Sequence, residues 1–123
     1  MTSKKVLIVD DSRTMRNHLA GFLTIHGYVV VEAEDGLDAL QKLRDNTDVA
    51  VIIADINMPR MNGIDMLIAI KNEPGLPTCP IVMLTTETNT EMIAKARSHG
   101  ARGWIVKPVE EQQLLTIVTH LTK

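Results

Sequence analysis

Four apolar runs in this chain each end on a residue able to do chemistry. Asp10-Asp11 follow Val6-Leu7-Ile8-Val9, Asp55 follows Ala50-Val51-Ile52-Ile53-Ala54, Thr85 follows Ile81-Val82-Met83-Leu84, and Lys107 follows Trp104-Ile105-Val106. The runs are too short for buried helices and read as strands covered on both faces. A single Asp at such a place would serve equally well as a turn or helix-capping residue. Carboxylates gathered from separate strands are another matter. Two unit charges about 4 Å apart repel by roughly 4 kcal/mol at an effective dielectric of about 20. Such a cluster calls for a cation, and removing Asp11 should then relieve the metal-free protein. Hard oxygen ligands in an open site suit Mg2+, which accepts one or two carboxylates, several waters and a phosphate oxygen. Lys107 offers a point charge to an anion, and Thr85 a hydroxyl donor. Together these groups describe phosphoryl transfer to a carboxylate, with Asp55 as acceptor, driven mainly by positioning and charge neutralisation.

The intervening segments must bring these ends together. Ser12 caps a first helix with Met15, Leu19, Phe22 and Leu23 on one face and Arg13, Arg16 and Asn17 on the other, and Gly27 ends it. Val29-Val30-Val31 forms a second strand that runs into Glu32-Ala33 without a carboxylate pair, as suits an outer edge. A second helix begins near Asp35-Gly36 and presents Leu40 and Leu43; after the Asn57-Met58-Pro59-Arg60-Met61-Asn62-Gly63 loop, Ile64, Leu67 and Ile68 mark a third, stopped by Glu73-Pro74-Gly75-Leu76-Pro77. A fourth helix spans Thr90 to Ser98 and closes at His99-Gly100, and Leu114, Ile117, Val118 and Leu121 give the last helix its core face. Strands alternating with helices predict a parallel α/β sandwich. Right-handed crossovers then place every strand's carboxyl end on one edge, where open sheets of this kind keep their sites.

At 123 residues and 45% apolar content, the expectation is one domain over residues 1–123. A net charge of -2 leaves no footprint for nucleic acid or an acidic membrane surface. No stretch resembles a signal peptide or a bilayer span, and the lone Cys79 permits no internal disulfide, so a reducing, cytoplasmic setting is expected. Cys79 reads as a small apolar filler. His18, His26, His99 and His120 have no metal-ligand spacing among them. Leu115 lies beside the core stripe of the last helix, as either a partner contact or a rim residue.

Asp10-Asp11, Asp55 followed by Asn57-Met58-Pro59 and Asn62-Gly63, Thr85, and Lys107-Pro108 together resemble the receiver domain of two-component response regulators, over the whole chain. The likeness is greatest to the stand-alone, CheY-like chemotaxis type. It implies a flavodoxin-like three-layer sandwich with five helices and a parallel five-stranded sheet of order 2-1-3-4-5. It implies that Asp55 takes a phosphoryl group from a sensor histidine kinase. Asp11, Asp55 and the main-chain carbonyl of Asn57 would bind Mg2+ directly and Asp10 through water, while Thr85 and Lys107 would contact the phosphoryl oxygens. Thr85 and the aromatic at 104 would form the switch, remodelling a face that includes Ile93, Trp104 and Val106 for a downstream target such as a motor or signalling component. Asn57 and Glu87 occupy positions that tune the lifetime of the phosphoryl group, and both match the chemotaxis type. The protein would then be a phosphoacceptor that assists its own phosphorylation and dephosphorylation, with no output domain and no contact with nucleic acid.

Two residues depart from the pattern: Trp104 stands where Tyr or Phe is usual, with a bulkier ring and only an N–H donor, and Val109 where Phe commonly follows Lys-Pro. The Lys107-Pro108 bond is often cis in the family. One alternative is a receiver belonging to a longer DNA-binding regulator. Another is a Mg2+-dependent phosphatase with an Asp nucleophile, whose chemistry wants a second carboxylate two residues on, where Asn57 stands.

Overall fold

The computed structural model describes residues 4–86 and 90–123. They form, in chain order, β1 (Lys5–Val9), α1 (Arg13–Ile25), β2 (Val29–Ala33), α2 (Gly36–Asp45), β3 (Val49–Asp55), α3 (Gly63–Asn72), β4 (Ile81–Thr85), α4 (Thr90–Ser98), β5 (Gly103–Val106) and α5 (Glu111–Leu121). All strand pairs are parallel and the sheet order is β2-β1-β3-β4-β5, as the resemblance implies.

Each strand splits its side chains between two apolar layers, because successive residues point to opposite faces. Leu7, Val9, Ile52, Ala54 and Met83 pack with Leu40, Leu43, Leu67 and Ala96, under α2, α3 and α4. Val6, Ile8, Val51, Ile53, Leu84 and Ile105 pack with Leu19, Leu23, Leu114 and Val118, under α1 and α5. Val109, despite its size, joins this second layer at the rim. The helices start where local side chains take up free N–H groups: Ser12 accepts from Met15, Asp35 from Asp38, and Asn62 from Asp65. Gly27 (φ 91) and Gly100 (φ 101) turn the chain out of α1 and α4 in the left-handed region.

The second strand extends two residues past Val31. Glu32 stays in β2 because this is an edge strand: it pairs in register with Ile8, and its carboxylate lies 3.5 Å from Arg16 Nε. Arg16 therefore does not belong to a purely solvated helix face; its Nη1 donates to the main-chain oxygen of Asp10 at 2.6 Å. Among the described residues, no helix is long and apolar enough to cross a membrane.

Candidate functional site

Strand register brings the candidate residues level. Val9 pairs with Ala54, so Asp10 and Asp55 stand side by side one step further on; Thr85 pairs with Val106, so Lys107 follows one step beyond. By strand alternation Asp10, Asp55 and Lys107 continue the rows that face α1 and α5, while Thr85 shares the opposite face with Trp104.

Asp10 is fully buried, with Oδ1 accepting from the Ser12 N–H at 2.9 Å and Oδ2 lying 3.2 Å from Lys107 Nζ. Asp55 is also buried; its Oδ2 is 3.1 Å from the same Nζ, and its Oδ1 accepts a long hydrogen bond of 3.3 Å from the Asn57 N–H. Asp11 is exposed at the rim. Carboxylate oxygens from Asp10, Asp11 and Asp55 lie within 4.8 Å of one another. Thr85 is buried, and its main-chain oxygen accepts from the Lys107 N–H at 2.8 Å. The Lys107-Pro108 peptide bond is cis.

Burial pushes the Asp55 carboxyl above its ordinary value; the nearby Lys107 charge works against that shift and Asp10 adds to it. For Lys107, burial disfavours the charge, but the two carboxylates outweigh burial and raise its value. The acids thus have a cation of their own. Sequence reasoning assigned Lys107 only to an incoming anion and missed that it spans Asp10 and Asp55.

The donor set suits a hard divalent cation. It consists of carboxylate oxygens close enough to share one ion, with Asp11 at the solvent side. The net upward shift of Asp55 marks a carboxylate whose burial outweighs its contact with Lys107.

Of the other candidates, Asn57 is exposed in the loop after β3. Trp104 is half-buried against the α2–α4 layer with the Arg97 guanidinium 4.5 Å from its ring centroid, Val106 is exposed on β5, and Ile93 is half-buried on α4. Glu87 lies outside the described residues. Arg60 drew no attention in the sequence, yet it packs on Asp35 at the head of α2; the only cue was Asp35-Gly36 as a helix start. Cys79 is half-buried beside Pro80, and burial pushes its thiol up to about 11, as suits a filler. Leu115 is half-buried, as a rim residue would be.

The chain is similar to known proteins in both sequence and fold. The family model described as the response regulator receiver domain matches residues 6–119. Over 111 residues the chain is 41% identical to the chemotaxis protein CheY1 of Helicobacter pylori, an alignment that covers 89% of this chain and 90% of that protein. A chemotaxis protein CheY homolog of Campylobacter jejuni subsp. jejuni is also 41% identical over 111 residues, 89% of this chain and 85% of the homolog. The high-resolution structure of chemotaxis response regulator CheY4 of Vibrio cholerae superimposes with a TM-score of 0.89 at 39% identity, covering 98% of this chain and 99% of that one.

Proposed function

The chain belongs to the response regulator receiver domain family, and from that membership we propose that it is a phosphorylation-activated switch of chemotaxis signalling whose phosphoacceptor is Asp55. The observation that carries this reading is the meeting of Asp10, Asp55 and Lys107 from three strands, with Asp11 at the open side.

An Asp55 carboxylate oxygen forms the new bond to phosphorus as the bond from phosphorus to the donor's imidazole nitrogen breaks, and the freed imidazole takes up a proton. The donor is a phosphohistidine on a sensor histidine kinase. Asp11, Asp55 and the Asn57 carbonyl would hold Mg2+ directly, with Asp10 acting through water; the bound ion would neutralise charge on the phosphoryl oxygens. Lys107 keeps its ammonium against Asp55, within reach of a group attached there, and the buried Thr85 supplies a hydroxyl on the neighbouring strand. Asn57 and Glu87 tune how long the phosphoryl group survives.

Thr85 and Trp104 share a sheet face, and this supports a switch in which they carry the change to the surface of α4, β5 and α5, where Ile93, Trp104 and Val106 meet a protein target such as a motor or signalling component.

The test is incubation with acetyl phosphate and Mg2+, followed by mass analysis of the protein and of Asp55→Asn. One stoichiometric adduct that disappears in the variant is expected. A label on another residue, or sustained release of phosphate from a small ester as a phosphatase would give, would overturn the assignment.

A further inference from the structure

The loop between β3 and α3 is fastened at its neck and at its apex. Ile56 N–H donates to Leu84 O at 3.0 Å, and Gly63 N–H closes back onto Ile56 O at 2.8 Å. Met58 and Met61 pack at the edge of the α2–α4 layer. At the apex, Arg60 has φ 62, and among the described residues no other non-glycine residue has a positive φ. That conformation costs a residue with a Cβ on the order of 1 kcal/mol, so its neighbours must hold it there.

The hold is specific. Arg60 Nε donates to Asp35 Oδ2 at 2.7 Å, Nη2 lies against the same carboxylate, and Glu34 is 3.6 Å away. Asp35 is buried and cannot follow a moving loop, since its other oxygen accepts from Asp38 N–H at the head of α2. Beside it, Gly36 N–H donates to Met61 O at 3.2 Å, and a Cβ on Gly36 would come within 2.6 Å of the Met61 side chain. One charged link and one main-chain link therefore tie the apex to α2, three residues after Asn57.

We propose that Arg60 is a positioning residue for the metal site: clamped on Asp35, it fixes the 56–62 loop so that the Asn57 carbonyl is presented to the cation shared by Asp11 and Asp55. The inference rests on the reading of Asn57 as a main-chain ligand. A clamp of this kind acts on ligand orientation more than on the fold, because an ion pair with a half-exposed guanidinium adds little stability and the neck is hydrogen-bonded independently.

The experiment titrates Mg2+ by calorimetry into the native protein, Arg60→Gly and Arg60→Lys, and follows amide hydrogen exchange over residues 56–62 without metal. Glycine adopts φ 62 without strain, so Arg60→Gly removes the clamp without adding strain to the turn, and Arg60→Lys controls for the freedom that glycine adds. Mg2+ affinity is expected to fall about tenfold, the lower end of what losing a supporting contact around a metal costs. Loop exchange should quicken while β1 and β3 stay protected, and Arg60→Lys should recover part of the affinity. Unchanged affinity in Arg60→Gly overturns the proposal, as does a loss that spreads to exchange throughout the sheet or that lysine leaves wholly unrepaired. Asp35→Asn, which keeps a capping oxygen, carries the same comparison if the glycine variant does not fold. A native protein that binds no Mg2+ would overturn the metal reading, whereas the loop exchange reports on the clamp separately.

Discussion

Asp35 and Asp55 are both buried carboxyls, and folding moves them in opposite directions. For Asp35, burial alone would raise the value, but the hydrogen bond from Asp38 N–H and the Arg60 guanidinium outweigh it and hold the group below its ordinary 3.8. A depressed folded value means stability that is present above the unfolded value and lost as pH falls through the folded one. Asp35→Ala is therefore expected to cost about 1–2 kcal/mol at about pH 7, from the lost cap and ion pair. Urea unfolding should show that difference shrinking as the pH drops below about 4, where the carboxyl protonates in the unfolded and then the folded chain. Asp55 is raised, so its contribution is present below the unfolded value and lost as pH rises through the folded one. At neutral pH its buried charge is a cost to the fold.

At the scale of elements, the junction of β3 with α3 sets the tolerance of the site. Gly63 opens α3 directly under the acceptor: a Cβ there would lie 2.6 Å from the Asp55 carbonyl oxygen and 3.0 Å from Ile56 Cα, and would collide with the Met83 side chain. Backbone cannot yield as a flexible side chain can. Gly63→Ala is expected to destabilise by about 1–3 kcal/mol, the usual range for overpacking, and to slow labelling of Asp55 by acetyl phosphate. Urea unfolding and the labelling rate check the two effects separately. Strand register in turn fixes the level at which Asp10, Asp55 and Lys107 follow their strands.

For the whole molecule, any ion that binds only the folded state stabilises it by mass action. At free Mg2+ about 100 times its dissociation constant, the gain is about 2.7 kcal/mol, and Asp11→Ala should abolish it in thermal unfolding followed with and without Mg2+. Without metal, the same substitution is expected to shift stability by no more than about 0.5 kcal/mol, because Asp11 is exposed and Lys107 already partners Asp10 and Asp55. Crowding of three acids, argued from the sequence, predicts that this shift is a gain, and the Lys107 contacts limit its size. Much else was legible there. Apolar runs of strand length ending in Asp10, Asp55, Thr85 and Lys107, alternating with helical stripes, determine a parallel sandwich with its chemistry at one edge, because periodicity and handed crossovers are local properties of the chain. Pairings between side chains far apart in sequence were decided only by the tertiary structure. Nothing along the chain marks Lys107 as spanning Asp10 and Asp55, Arg16 as reaching the Asp10 carbonyl, or Arg60 as gripping Asp35. Long cationic side chains can reach many carboxylates, and only the packed backbone selects one.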